Sequence, residues 1–125
     1  MLNVLIVEDE IIIALHIDSI VKRMGHAVAG LATNEEEAMK YADEKRVDLL
    51  ISDIRLGDGR DGIEIAEQLQ TEHGCAVILI TAYKDQETLK KALNLELEGY
   101  LVKPFSEPRL RGLIGSVADR YGCRG

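Results

Sequence analysis

Short apolar runs recur five times along the chain, and between them apolar residues recur at helical spacing. The first run, Leu5-Ile6-Val7 within the stretch Leu2–Asp9, is long enough for a strand buried on both faces and too short for a helix. The others are His26–Ala32, weaker and placed near a sheet edge, then Leu49–Ser52, Ala76–Ile80 and Tyr100–Val102. Ile13, Ile17, Ile20, Val21 and Met24 line a first helix that Gly25 stops. Thr33 or Asn34 caps a second, where Glu35, Glu36 and Glu37 suit the positive N-terminus and Ala38, Tyr41 and Ala42 face inward. Ile65, Ala66 and Leu69 mark a third helix, and Leu89, Ala92 and Leu93 a fourth. Ser106 caps the last, with Pro108 in its first turn and Leu110, Leu113, Ile114 and Val117 on its inner face. This order predicts one α/β domain. Its sheet is parallel, five-stranded and covered on both faces by right-handed crossovers, a doubly wound (βα)5 arrangement.

The 125 residues leave room for a real core, with no repeat or interdomain linker. A net charge of -7 argues against a direct grip on nucleic acid. No apolar stretch approaches the ~20 residues of a membrane span. Met1 leads straight into a strand without a signal-peptide pattern, so a cytoplasmic location is expected and no membrane partner. Cys75 and Cys123 suggest neither a disulfide framework nor a paired metal site and read as reduced thiols. His16, His26 and His73 are too scattered for zinc.

In a parallel sheet the residues just past each strand share one rim, the place where open α/β sheets bind ligands. Here they are Glu8 and Asp9, then Asp53, Thr81 and Lys103. Like charges ~4 Å apart repel by about 4 kcal/mol at an effective dielectric near 20, so the carboxylates need a counter-cation. Oxygen-only ligands point to Mg²⁺. A carboxylate is already ionised at neutral pH and needs no base to act as a nucleophile. Phosphoryl transfer demands mostly positioning and charge neutralisation. Mg²⁺, Lys103 and a Thr81 hydroxyl would supply both, with Asp53, alone at the end of the central strand, as the nucleophile.

Five segments then carry a resemblance. They are Val7-Glu8-Asp9-Glu10, Asp53-Ile54-Arg55-Leu56, Asp61-Gly62-Ile63-Glu64, Thr81-Ala82-Tyr83 and Gly99-Tyr100-Leu101-Val102-Lys103-Pro104-Phe105. In this order, one per strand end, they resemble the receiver domain of bacterial two-component response regulators, a flavodoxin-like fold. The resemblance runs from Met1 to about Tyr121 and implies a single receiver domain over residues 1–125, with its core at about 2–121. It implies that Asp53 accepts a phosphoryl group from a histidine of a sensor kinase or phosphotransfer protein. Glu8, Asp9, Asp53 and the backbone carbonyl of Arg55 would hold Mg²⁺. Lys103 would contact the phosphoryl group, oriented by a cis peptide before Pro104. Thr81 and Tyr100 match the family's switch pair: the hydroxyl moves toward the phosphoryl group and the ring turns inward. The face of the fourth helix, fifth strand and last helix would then signal to an output domain or downstream partner, or form a homodimer. Lys90, Lys91, Arg109 and Arg111 are its candidate contacts. Arg55 and Tyr83 stand where the family tunes the loss of the phosphoryl group. The domain would catalyse only its own phosphorylation and dephosphorylation.

Some residues depart from the family pattern. Gly57 stands where proline is frequent, and the loop before Gly62 is one residue longer. Glu96 replaces a common glycine, which predicts a strained or reshaped turn before the fifth strand. The segment from Gly57 to Gly62 lacks the ending of a P-loop, and Asp58 and Asp61 lack EF-hand spacing, so it reads as a plain loop. Two other functions share the fold. A flavodoxin-like cofactor binder would find its phosphate repelled by Glu8-Asp9-Glu10, and the chain has no Trp to stack a flavin. An interaction domain with idle phosphotransfer chemistry is the second.

Overall fold

Val4 to Val7 have no solvent-exposed surface at all, because β1 (Asn3–Val7) lies inside the sheet with helices on both sides. The computed structural model describes residues 1–56, 61–91 and 95–122. In chain order β1 is followed by α1 (Ile11–Arg23), β2 (Ala27–Ala32), α2 (Glu35–Glu44), β3 (Leu49–Asp53), α3 (Gly62–His73) and β4 (Ala76–Ala82). A 3-10 helix (Tyr83–Lys91), β5 (Leu97–Lys103) and α4 (Glu107–Gly122) complete it. All strand pairs are parallel, in the order β2-β1-β3-β4-β5. Asp53 therefore closes the middle strand, and the weak run after His26 is at an edge, as its composition predicts.

Successive strand residues point to opposite faces, so each apolar run feeds two cores. Leu5, Val7, Leu50, Val77 and Leu79 pack on one side with Ala38, Ala42, Ile65, Ala66 and Leu69 from α2 and α3. Val4, Ile6, Leu49, Ile51, Ile78 and Ile80 pack on the other with Ile17, Ile20, Val21, Leu110, Ile114 and Val117 from α1 and α4. Each fully buried Leu, Ile or Val contributes about 1.5–3 kcal/mol. Such burial on both faces is why the strands show no polar alternation.

The helix ends follow their local chemistry. Asn34 caps α2 by accepting from the Glu37 N–H at 2.9 Å. Glu37 in turn accepts from the hydroxyl and N–H of Thr33, both at 2.7 Å, a reciprocal cap that holds its carboxyl below the ordinary value. Ser106 accepts from the Arg109 N–H at the start of α4. Cys75 is a buried free thiol, pushed up to about 11 by burial, and Cys123 lies outside the described residues. Among the described residues no helix is long and apolar enough to cross a membrane.

Two segments differ from expectation. The fourth helix is 3-10 from Tyr83 to Lys91, and Ala92 and Leu93 fall outside the described residues, as does the Leu89 side chain. Lys84-Asp85-Gln86-Glu87-Thr88 offers no apolar stripe to hold an α-helix against the sheet. Glu96 itself carries no left-handed strain, since among the described residues positive φ occurs only at Gly25 and Gly74. Instead the Gln70 amide brackets Glu96, donating to its carbonyl at 3.0 Å and accepting from its N–H at 2.9 Å.

Gly62 couples the fold to the rim. Its N–H donates to the Ile54 carbonyl at 2.9 Å, and a Cβ there would lie 1.8 Å from the Asp53 carbonyl oxygen. Gly62→Ala is expected to lower stability by about 1–3 kcal/mol or more through overpacking against rigid backbone. Gly112→Ala, whose added methyl meets nothing within 4 Å in a helix, is expected to raise it by about 0.5–1 kcal/mol. Urea midpoints of the two variants test the contrast.

Candidate functional site

The carboxyl ends of β1, β3, β4 and β5 carry Glu8, Asp9, Asp53, Thr81 and Lys103 to one rim. Asp53 is the last residue of β3 and Lys103 the last of β5; Asp53 and Glu8 are buried, and Asp9 is exposed. The Lys103 ammonium donates to Asp53 Oδ2 at 2.6 Å, Glu8 Oε1 at 2.9 Å and Glu10 Oε2 at 3.0 Å. The other Asp53 oxygen accepts from the Arg55 N–H at 3.0 Å. Glu10 is a member of the constellation to which sequence reasoning assigns no role. Its signal is its place one residue beyond the acidic pair.

Negative charge outweighs positive here. Burial, then the hydrogen bond and charge of Asp53, push Glu8 up to about 8 against the pull of Lys103. Burial alone would depress Lys103, but its hydrogen bonds to Asp53, Glu8 and Glu10 outweigh that and hold the ammonium above its ordinary value. Glu8, Asp9 and Asp53 each offer an oxygen, all within 4.8 Å of one another. Among the described residues the buried Glu8 Oε2 has no hydrogen-bond partner. An orphaned carboxylate oxygen among oxygen-only donors fits a hard divalent cation such as Mg²⁺.

The remaining candidates are less tightly gathered. Thr81 is fully buried in β4, and its hydroxyl donates to the Ala82 carbonyl at 3.0 Å. Tyr100 on β5 is 42% exposed, its ring outside the core. The Lys103–Pro104 peptide is cis. The Arg55 guanidinium turns to Asp85, Nε to Oδ1 at 2.8 Å. Asp85 is buried and was not marked by any periodicity, since it sits in a polar stretch. Lys90 pairs with Glu87, Arg111 lies 3.9 Å from Glu107, and Arg109 reaches the Tyr100 carbonyl at 3.5 Å. Gly57 and Asp58, and the side chains of Tyr83 and Lys91, lie outside what is described.

Comparison with known proteins points to one family. The sequence signature described as the response regulator receiver domain matches residues 4–115. The transcriptional regulatory protein PdtaR of Mycobacterium tuberculosis is 31% identical over 119 residues, covering 95% of this chain and 58% of the relative. The phyllosphere-induced regulator PhyR of Methylorubrum extorquens is 40% identical over 116 residues, covering 92% of this chain and 43% of the relative. The chain thus spans about half the length of these curated relatives. Among solved structures, the signal receiver domain of a modulated diguanylate cyclase from Desulfovibrio desulfuricans G20 superposes with a TM-score of 0.87. It is 31% identical, covering 100% of this chain and 99% of that one. The receiver domain of PhyR from Erythrobacter litoralis gives 0.83 at 33% identity, covering 93% and 88%.

The charge imbalance has a measurable consequence in the presence of a chelator. Between its ordinary 4.5 and about 8, Glu8 keeps a proton in the native protein that the unfolded chain has released. The native state then binds more protons than the unfolded one, so stability falls as pH rises through that window. Glu8→Gln is neutral at every pH. It is expected to flatten this slope and to stabilise the chelated protein near pH 8 by about 1–3 kcal/mol. Urea unfolding across the pH series checks it; an unaltered slope would mean that Glu8 is ionised in the native state.

Proposed function

This chain belongs to the response regulator receiver domain family, and on that premise we propose that Asp53 accepts a phosphoryl group from a phosphohistidine of a sensor kinase or phosphotransfer protein. The observation that carries the reading is the position of Asp53, buried at the end of the middle strand. There its carboxylate meets the Lys103 ammonium at 2.6 Å and shares a possible cation site with Glu8 and Asp9. A carboxylate oxygen of Asp53 forms the new bond to phosphorus as the phosphorus–nitrogen bond breaks, and the departing imidazole takes up a proton. Lys103 orients the acceptor and neutralises charge on the transferred group. Glu8, Asp9, Asp53 and the Arg55 carbonyl hold Mg²⁺, which supplies the remaining neutralisation of phosphoryl charge when bound.

Once formed, the acyl phosphate brings roughly two negative charges to the rim. Thr81 releases the Ala82 carbonyl to donate to the phosphoryl group, and Tyr100 turns into the vacated space. Its 42% exposure supports an outward starting position. The surface formed by the 3-10 helix, β5 and α4, with Lys90, Lys91, Arg109 and Arg111, reports the change to an output domain or partner, or to a second copy of the chain. Arg55 and Tyr83 set how fast the group is lost, and the domain's catalysis is confined to its own phosphorylation and dephosphorylation. Such a partnership places the protein in the cytoplasm.

A small phosphodonor with Mg²⁺ is expected to add one phosphoryl mass increment to the wild-type protein and none to Asp53→Ala. Lys103→Ala is expected to slow the addition by about 10²–10³-fold, the ordinary effect of deleting one preorganised donor. Mass spectrometry over time reads both. No increment in the wild type would leave the chain an interaction domain on a receiver fold.

A further inference from the structure

The ion pair between Arg55 and Asp85 joins two parts of the molecule that the phosphotransfer reading treats separately. Arg55 starts beside the acceptor, since its N–H lies 3.0 Å from Asp53 Oδ1. Its guanidinium ends on the first turn of the 3-10 helix, with Nε 2.8 Å from Asp85 Oδ1. The two ends are unequal: the Arg55 side chain is 68% exposed and that of Asp85 is 7% exposed. The guanidinium can therefore leave into water at small cost. The buried carboxylate cannot be left behind without a partner.

The segment it holds is itself unusual. The 3-10 helix runs for nine residues, whereas the poorer hydrogen-bond geometry of this conformation keeps most such runs to about 3–4. Its polar sequence has few apolar residues to bury, and Asp85 in its first turn is buried and paired with Arg55.

We propose that Asp85 is a positioning residue that commits Arg55 to the 3-10 helix, and that a phosphoryl group on Asp53 competes with Asp85 for that guanidinium. The inference rests on Asp53 being the phospho-acceptor and adds a route from it to the helix that does not pass through Thr81 or Tyr100. Two terminal oxygens of a phosphoryl group can accept together from the planar guanidinium fork, whereas the contact to Asp85 is a single Nε–Oδ1 bond. Once Arg55 transfers, Asp85 is stranded, and the first turn of the 3-10 helix opens so that the carboxylate can meet water. Linkage makes the effect reciprocal: the factor by which the mimic favours opening of the Arg55–Asp85 pair is the factor by which freeing an intact Arg55 from Asp85 strengthens binding of the mimic.

The test uses beryllofluoride with Mg²⁺ as the phosphoryl mimic, its affinity read by ¹⁹F NMR and the helix by hydrogen–deuterium exchange of residues 83–91. In the wild type, the mimic is expected to speed exchange in this segment. Asp85→Asn without the mimic is expected to show the faster exchange already and to bind the mimic about five- to tenfold more tightly. In an Arg55→Gln background Asp85→Asn is expected to leave affinity unchanged, which a merely structural role for Asp85 would not produce. Uptake of the mimic with equal affinity in wild type and Asp85→Asn overturns the proposal while Asp53 stands as acceptor. Failure of the wild type both to bind the mimic and to accept a phosphoryl group overturns the acceptor reading, and this proposal with it.

Discussion

One ammonium stands among more carboxylates than it can neutralise. Lys103 holds Asp53, Glu8 and Glu10 within 3.0 Å, and Asp9 lies at the same rim. Removing a partner from a buried charge pair costs about 3–5 kcal/mol, so the lysine restrains a cluster that would otherwise repel itself. The same imbalance keeps a proton on the Glu8 carboxyl well above its usual range. A site so short of positive charge is prepared for a cation, and then for a ligand that brings both charge and oxygens. Stability and receptivity oppose each other at this rim.

The sheet makes the crowding possible. Parallel strands all end on one side, and the order β2-β1-β3-β4-β5 puts Asp53 between the acidic pair and the lysine. Burial on both faces keeps the strands rigid: Val4 to Val7, Leu49 to Ile51 and Val77 to Ile80 are all inaccessible to solvent. Gly62 adds a second brace by laying the start of α3 on the backbone of Asp53 itself. Asp53 is thus fixed from below by β3 and from the side by a helix terminus, while its two oxygens are held by different partners.

Much of this was legible in the residues because buried parallel strands announce themselves as unbroken apolar runs, and the polar residue that ends each run is the one that reaches the rim. Asp53 and Lys103 were found that way, and Asn34 and Ser106 were legible from local capping chemistry. Asp85 was not, because nothing in a polar stretch distinguishes the one carboxylate that folds inward to meet an arginine. The 3-10 conformation was hidden for a related reason: Leu89, Ala92 and Leu93 carry helical spacing, but the stretch ahead of them has no stripe to sustain it. The direction of the Thr81 hydroxyl and the openness of Tyr100 depend on side-chain rotation, which no pattern of residue types encodes. At Glu96 the missing glycine predicts a strained or reshaped turn; there is no positive φ at this residue, and the Gln70 amide that brackets it is a long-range contact no local pattern reveals.

β5 forms one margin of the sheet and, among the described residues, hydrogen-bonds β4 alone. Its final residue is the lysine, and Tyr100 at its midpoint opens onto the outer wall beside Arg109. The outer wall and the amine thus share one short rod of backbone, Leu97–Lys103. Linked equilibria run both ways, so if the proposed switch acts through this strand, a partner at the wall and a ligand at the rim must each alter the affinity for the other.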